Sequence, residues 1–272
     1  MDACRGLTEL VAAPAEENAE APPGQRADAF RPAFLIPDHN HQDAISSLLD
    51  QLEPLGRPCL IVDDGSATAT QRHLVQQAKL RPWVRVIRRA EQGGKGAAVM
   101  TGLRALHESG FTHAVQLDAD GQHDPTDAGL FLGEARAFPE ALILGRPTYG
   151  IDVPRVRLAG RQLSRILVWF ETLSFDIGDP LLGYRVYPLR ITMELVNRQR
   201  LGTQMDFDPE IAVRLSWCGV PVRNIATRVS YPPGGLSHFR MLADNLLMVW
   251  LHVRLLAGMF RHFPVRTEKG RI

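Results

Sequence analysis

Short apolar runs alternate with helical patterns along the chain from about residue 32 onward. The runs that are typical of buried strands are residues 33–36, 59–62, 83–87, 113–117 and 141–144. Between them, apolar positions recur at helical spacing, for example over residues 42–52 and 94–108. This alternation predicts an α/β fold in which a mostly parallel, Rossmann-like sheet is flanked by helices.

Acidic and amide side chains follow three of the predicted strands. They are Asp38 and Asn40, Asp63 and Asp64, and Asp118 and Asp120. Right-handed crossovers place the loops after parallel strands along one edge of the sheet, which is where open parallel sheets bind ligands. Any one of these loops is explained by ordinary turn chemistry. Because three of them meet at one edge, we expect a binding site there.

The stretch after the fourth run carries the strongest chemical signal. Asp118 and Asp120 are two residues apart, so in extended backbone their carboxylates point to the same side. The amide oxygen of Gln122 adds a third hard donor of the kind that Mg²⁺ or Mn²⁺ prefers. Such ions keep several waters and bridge to phosphate oxygens, which predicts a substrate that carries a diphosphate.

Bulk composition narrows the class of protein. The chain has 272 residues with a net charge of +1, so no overall field favours a nucleic acid partner. Its three cysteines are widely spaced, which is typical of a reducing compartment rather than of a disulfide framework. Residues 1–31 are rich in Ala, Pro and Glu without a sustained apolar run, so we expect a disordered tail, no secretory leader and a cytoplasmic protein.

The second half of the chain contains two unusual helical patterns. Arg157, Arg161 and Arg165 recur at four-residue spacing and predict a basic stripe on a solvated helix face. Residues 236–263 are strongly apolar but contain charges, so a spanning helix is disfavoured. Two alternatives remain for this segment: an amphipathic helix on a membrane surface, or a helix packed on the sheet.

Four motifs occur in the order of a known family. They are residues 36–40 (IPDHN), 61–66 (IVDDGS), 94–97 (GKGA) and 117–123 (LDADGQH). The chain resembles the family 2 glycosyltransferases of GT-A fold, in the branch that contains dolichyl-phosphate mannosyltransferases. The resemblance covers about residues 34–239, with looser matches at 178–185 and 231–239. It implies a GT-A domain over 32–240, which composition and the apolar pattern place between a tail over 1–31 and a C-terminal amphipathic helix over 241–272 that is a candidate for membrane-surface binding.

The resemblance implies a donor, a metal and a set of site residues. The donor would be a UDP- or GDP-linked sugar, the metal Mg²⁺ or Mn²⁺, and the reaction an inversion at the anomeric carbon. The nucleotide would contact Pro37, Asn40, Asp63 and Asp64, and the metal would be held by Asp118, Asp120 and Gln122.

Cationic candidates surround the implied diphosphate. Lys95 lies at the start of a helix, where unpaired amide groups favour anions. Arg146 and Arg185 are candidate phosphate clamps because guanidinium matches phosphate geometry, and His238 is a candidate ligand from a Gly-rich loop.

A hydroxyl acceptor requires a general base within hydrogen-bond reach. Asp179 is the first candidate for that base, with Asp206 and Asp208 behind it unless they only begin a helix. If the acceptor is a phosphate, no strong base is required, and Asp179 would only orient Arg185.

The acceptor stays open at this stage. The resemblance implies transfer of a single sugar to a lipid-type acceptor at the cytoplasmic face of the inner membrane. A polyprenyl phosphate competes with an acyl or aryl-polyene lipid, and the segment 231–239 favours the second. The other classes considered are a catalytically degenerate membrane-associated binding protein and a sugar nucleotidyltransferase. The latter is disfavoured because residues 37–40 replace its Gly-rich loop.

Overall fold

The computed structural model describes residues 7–11, 30–149, 155–230 and 241–268. These residues form strands β1 Leu7–Val11, β2 Pro32–Asp38, β3 Cys59–Asp63, β4 Val84–Arg89, β5 His113–Gln116, β6 Leu142–Tyr149, β7 Arg185–Pro188 and β8 Val222–Val229. The helices are α1 Gln42–Leu52, α2 Thr68–Leu80, α3 Lys95–Glu108, α4 Ala128–Ala137, α5 Arg155–Thr172, α6 Leu189–Arg198, α7 Phe207–Trp217 and α8 Met241–Glu268.

The described strands form one sheet in the order β1-β4-β3-β2-β5-β7-β6-β8. Strands β4, β3, β2 and β5 are parallel, as are β6 and β8, while β7 and β1 run antiparallel to their neighbours. The predicted α/β class with a mostly parallel sheet is therefore confirmed. Since β2, β3 and β5 are parallel and adjacent, their carboxyl ends meet at one edge.

Alternation along the central strands divides the apolar side chains between two cores. In β2, Leu35 packs into a core shared with α3, α6 and α7, whereas Phe34 and Ile36 pack into the opposite core with α1, α2 and α4. Successive side chains of a strand point to opposite faces, so a continuous apolar run is what burial on both faces requires.

Both ends of the chain contribute elements that pack on the rest of the fold. Strand β1 lies within the segment expected to be disordered and pairs antiparallel with β4. At the other end, α8 packs against α5 and α7, and its Leu251 and Leu255 are fully buried. None of the described helices is long and apolar enough to cross a membrane.

Candidate active site

The loops after β2 and β3 are tied together by backbone and side-chain hydrogen bonds. Asn40, with a positive φ of 64°, accepts a hydrogen bond from the amide of Ala67 at 2.8 Å and donates its own amide to Ser66 Oγ at 3.0 Å. Pro37 is buried inside β2, opposite Val62 of β3. Asn40 therefore joins the two loops, and Pro37 lies in the strand that leads into the first of them.

The two carboxylates at the end of β3 accept hydrogen bonds from backbone amides of nearby loops. Asp63 accepts from the amide of Ser66 at 2.8 Å, and Asp64 accepts from the amides of Gly93 and Gly94 at distances down to 2.7 Å. Asp64 consequently holds the glycine turn that precedes α3 in place. Gly94 has φ +95°, a backbone conformation that L side chains rarely adopt, so glycine is required at this position.

Lys95, the first residue of α3, is the electrostatic centre of the site. Its Nζ lies 2.8 Å from Asp118 Oδ2 and 2.7 Å from Asp208 Oδ2. Burial alone would disfavour the ammonium, but the two carboxylates raise the pKa of Lys95 above its ordinary value. Lys95 therefore joins the loop after β5 to the start of α7 and stays charged at neutral pH.

Asp118 and Asp120 are both half-buried at the end of β5, with Ala119 buried between them. The imidazole of His41 lies 3.6 Å from Asp38. Burial lowers the pKa of His41, but the negative charges of Asp38 first, and then of Asp120 and Asp118, raise it above its ordinary value. The Nδ1 atom of His123 accepts a hydrogen bond from the backbone amide of Asp118 at 3.3 Å. Burial lowers the pKa of His123, so its ring is neutral at pH 7. These contacts place both carboxylates at the sheet edge.

The donor set at this edge fits a divalent ion that completes its coordination on a substrate. Across the described ranges, no group of three or more His, Cys, Asp or Glu side chains is placed to hold a metal by itself. The side chains of Asp118, Asp120 and Gln122 supply hard oxygen donors. The backbone amide of Gln122 donates a hydrogen bond to Asp120 Oδ1 at 3.0 Å. Mg²⁺ commonly takes one or two carboxylates and fills its remaining positions with water and phosphate oxygens.

A cavity of about 200 Å³ lies between α5, the second half of β6 and the loop before β7. We call it the arginine cavity because its lining includes Arg146, Arg161 and Arg165 together with Asp179. Arg161 donates to both carboxylate oxygens of Asp179 at 2.9 and 2.8 Å, and Arg165 lies over the ring of Trp169. The expected solvated arginine stripe is therefore wrong for Arg161 and Arg165; the side chain of Arg157 lies outside the described residues.

Asp179 is held from several sides. Besides Arg161, the backbone amides of Leu181 and Leu182 donate to its Oδ1 at 2.8 and 2.9 Å. The carboxylate thus orients Arg161, rather than Arg185 as the sequence suggested.

Arg185 is a structural residue in this fold. Its side chain is fully buried and donates to the carbonyl oxygens of Pro180, Leu182 and Asp208. These hydrogen bonds stabilise the loop before β7. Because the guanidinium is fully buried and each of its three nitrogens donates to a carbonyl oxygen, it is not exposed to a phosphate. Its predicted role as a phosphate clamp is therefore not supported by its placement. His238 lies outside the described residues.

Asp206 and Asp208 begin α7, as one of the two sequence alternatives expected. Asp206 is the N-cap residue, and its carboxylate accepts from the amide of Gln204 at 3.1 Å. Asp208 is buried against Lys95 and is therefore the one of the pair that lies at the candidate site.

A model of the family described as "Glycosyl transferase family 2" matches residues 38–198. The chain belongs to this family. The glycosyltransferase is 28% identical over 193 residues to an undecaprenyl-phosphate mannosyltransferase of Micrococcus luteus, a match that covers 65% of this chain and 76% of the relative. It is 26% identical to a polyprenol monophosphomannose synthase of Mycolicibacterium smegmatis, over 63% of this chain and 67% of that protein.

Solved structures support the fold of this glycosyltransferase. Glucosyl-3-phosphoglycerate synthase from Mycobacterium tuberculosis, in complex with Mn²⁺ and UDP-glucose, superposes with a TM-score of 0.60 at 18% identity, over 86% of this chain and 80% of that one. A mannosyltransferase from Pyrobaculum calidifontis in complex with GDP-Man and Mn²⁺ superposes with a TM-score of 0.55 at 14% identity, over 91% and 78% of the two chains. The GT-A fold expected from the sequence is thereby confirmed.

Two arginines of the glycosyltransferase have partners that the sequence pattern does not predict. Arg161 was noted only as part of a helical stripe, and its pairing with Asp179, 18 residues away, has no signature in local spacing. The sequence pattern leaves Arg254 of α8 on either a membrane-surface helix or a packed helix and predicts no partner for it, whereas its guanidinium lies 3.2 Å from Glu210 and 3.6 Å from Asp206. Its position in a strongly apolar helix was the available signal, because a charge there needs a partner.

Proposed function

We propose that this glycosyltransferase transfers one sugar from a nucleotide diphosphate donor to the phosphate of a polyprenyl-type lipid. The observation that carries the proposal is the arginine cavity, which is lined by α5, a helix that also has exposed apolar residues on another side. A phosphate group with a long apolar chain matches that combination of cations and apolar surface.

The donor side is supported by the turn at Gly93 and Gly94, the start of α3 and Lys95. Helix starts and ammonium groups both favour the charges of a diphosphate. Asp118, Asp120 and Gln122 would hold Mg²⁺ or Mn²⁺, which when bound supplies positive charge that stabilises the departing diphosphate. The Mn²⁺ complexes of UDP-glucose and GDP-Man in the two structural neighbours agree with this assignment.

The acceptor side is supported by the surface around the arginine cavity. Leu163, Ile166 and Phe170 follow one another at helical spacing on α5 and are between 45% and 65% exposed. We call these three residues the α5 apolar stripe. The α5 apolar stripe lies on a different side of the helix from Arg161 and Arg165, and Ile166 is its member nearest to the cavity, one turn after the cavity residue Gln162. A lipid phosphate in the cavity would reach the stripe by passing its chain across Ile166.

Helix α8 has an exposed apolar face of its own. Its exposed side carries Leu246, Val249, Trp250 and Val253, each at least 50% exposed, while its opposite side packs into the core. Apolar faces of this kind insert at the boundary between headgroups and acyl chains. We therefore propose that the protein works at a membrane surface, with α5 and α8 facing the lipid.

The reaction that follows from this arrangement is a direct displacement. A phosphate oxygen of the acceptor forms a bond to the anomeric carbon, and the bond from that carbon to the donor diphosphate breaks, so the configuration inverts. A phosphate monoester is already ionised at neutral pH and needs no base to remove a proton. Asp179 then serves to orient Arg161, and Lys95 stabilises the negative charge on the leaving diphosphate.

The names of the relatives favour phosphate over the alternative acceptors. One bacterial relative is named an undecaprenyl-phosphate mannosyltransferase and the other a polyprenol monophosphomannose synthase, whereas an acyl or aryl-polyene lipid has no support beyond the segment 231–239. The arginine cavity agrees with the relatives, because a hydroxyl or neutral acyl acceptor offers no charge for Arg146, Arg161 and Arg165 to bind.

The test is a transfer assay in phosphatidylcholine vesicles that contain either a polyprenyl phosphate or the matching polyprenol. GDP-mannose and UDP-glucose are supplied in turn with Mn²⁺, and labelled lipid is separated by chromatography. We expect transfer from one donor to the phosphate only, and its loss on addition of EDTA. Equal labelling of the polyprenol, or labelling only of an added hydroxylated acyl lipid, would refute the phosphate acceptor.

A further inference from the structure

Helix α8 is linked to the donor turn through a continuous chain of contacts that starts at Arg254. We propose that Arg254 is a positioning residue for donor binding: it holds the segment 201–206, which in turn holds the turn at Gly93–Ala97 in its binding conformation. The inference rests on the proposed function, in that it takes this turn to bind the donor diphosphate.

The segment 201–206 packs directly on the turn. The amide of Ala97 donates to Thr203 O at 3.0 Å, and Gln204 Nε2 donates to Gly93 O at 3.0 Å. At Gly96, an added Cβ would lie 2.5 Å from Phe207 Cβ and 2.9 Å from Gly202 O. The two segments therefore have no space between them, and a shift of one must displace the other.

Two carboxylates fix the backbone of this segment. Glu210 Oε2 accepts from the amide of Gly202 at 2.7 Å, and Asp206 Oδ1 accepts from the amide of Gln204 at 3.1 Å. Both carboxylates are on or next to the first turn of α7, and both are buried. Burial and the negative charge of Glu210 raise the pKa of Asp206, so a cation in contact with both groups stabilises the two carboxylates.

Arg254 supplies that cation. Its Nη2 donates to Glu210 Oε2 at 3.2 Å and lies 3.6 Å from Asp206 Oδ2. Arg214 also pairs with Glu210, but at Oε1, the oxygen that does not hold Gly202. Arg254 is thus the cation in contact with the two carboxylate groups on the side that faces the segment 201–206.

The position of Arg254 depends on how α8 is seated. On neighbouring turns, Leu251 and Leu255 are fully buried, and His252 Nδ1 lies 2.7 Å from the buried Glu171 of α5. These contacts anchor α8 to α5 and to the core, and so aim Arg254 at Glu210. We infer that α8, which sequence analysis placed outside the GT-A domain, is part of its donor site.

The experiment compares Arg254→Gln with Arg254→Lys and with the control Arg190→Gln. Arg190 is a suitable control because it also bridges two carboxylates, Glu140 and Glu194, but on the exposed surface of α6. Donor affinity is measured by calorimetry with UDP-glucose and GDP-mannose in the presence of Mn²⁺. Backbone hydrogen exchange over residues 93–98 is measured in the same proteins without ligand.

We expect Arg254→Gln to bind the donor about tenfold more weakly and to raise its KM by a similar factor, with kcat changed by less than about twofold. Exchange of the Ala97 amide should become faster, because its hydrogen bond to Thr203 O is loosened. Arg254→Lys should recover part of the affinity, since the charge is retained, and Arg190→Gln should match the wild type.

Two results distinguish failure of the inference from failure of the proposed function. If Arg254→Gln lowers thermal stability but leaves donor affinity and Ala97 exchange unchanged, Arg254 only packs α8. If the wild type binds neither sugar nucleotide, the donor assignment itself fails. In that case the exchange measurement still decides whether Arg254 controls the turn: faster Ala97 exchange in Arg254→Gln supports the link, and unchanged exchange refutes it.

Discussion

Replacing Lys95 with Gln should both destabilise the protein and weaken donor binding, and a second substitution can separate the two effects. Lys95 Nζ is 2.8 Å from Asp118 and 2.7 Å from Asp208, so the substitution removes the cation that two carboxylates share. Glutamine keeps much of the side-chain volume and the ability to donate, so the change is mainly one of charge.

The expected loss follows from burial. Removing one partner of a fully buried ion pair costs about 3–5 kcal/mol, because an unpaired charge is left inside. The side chains of Lys95 and Asp118 are 18% and 20% exposed, which places the effect at the lower end, about 3 kcal/mol. With a urea m-value of about 3 kcal/mol per molar, the unfolding midpoint should fall by about 1 M.

The assay is urea unfolding followed by circular dichroism, combined with donor binding. Adding Asp208→Asn to the Lys95→Gln protein removes one of the two stranded carboxylates and should restore about 1–2 kcal/mol of the free energy of unfolding. Donor affinity should stay low in this double variant, because the ammonium is still missing. Lys79→Gln, on the exposed face of α2, is the matched control and should change stability by less than about 0.5 kcal/mol.

Two results would refute this reasoning about Lys95. If Lys95→Gln unfolds at the same urea concentration as Lys79→Gln, the ion pairs contribute nothing to the fold. If Asp208→Asn restores donor binding along with stability, Lys95 acts only by supporting the structure and has no contact with the diphosphate.

Three further predictions test other parts of the site. Asp120→Asn should lower turnover about 100-fold with an intact fold, since one metal-ligand charge is lost, and unchanged turnover at saturating Mn²⁺ would remove the metal assignment. Arg161→Gln should raise the KM for polyprenyl phosphate about tenfold without raising that for the donor; an increase for the donor instead would contradict the acceptor role. Burial lowers the pKa of His113, so its ring is neutral when folded and the free energy of unfolding should fall as pH drops below about 6.5, the unfolded pKa, toward the folded one. In His113→Gln that dependence should weaken, and an unchanged slope between pH 5 and 7 would refute it.

The sequence alone predicted the central strands and the edge of the sheet at which the acidic side chains lie. Strands β2, β3, β4, β5 and β6 were all predicted from apolar runs, because burial on both faces requires such runs. The acidic residues after β2, β3 and β5 were correctly placed at one edge, since parallel strands joined by right-handed crossovers leave no other arrangement. Strands β7 and β8 were missed: β7 is only four residues long, and most of β8 is not buried, so neither has a strong pattern.

Tertiary structure decided which of the charged candidates reach the site. The sequence predicts Arg185 as a phosphate clamp and Arg161 as part of a solvated stripe, but Arg185 is buried against three carbonyl groups and Arg161 lines a cavity with Asp179. Lys95 meets Asp208 across 113 positions of the chain, and Arg254 meets Glu210 across 44. Local periodicity determines which segments become helices and strands, whereas the partner of a charge depends on which segments the fold packs together. Which segments pack together depends on the whole core, so the partner of a charged side chain cannot be predicted from any single stretch of this sequence.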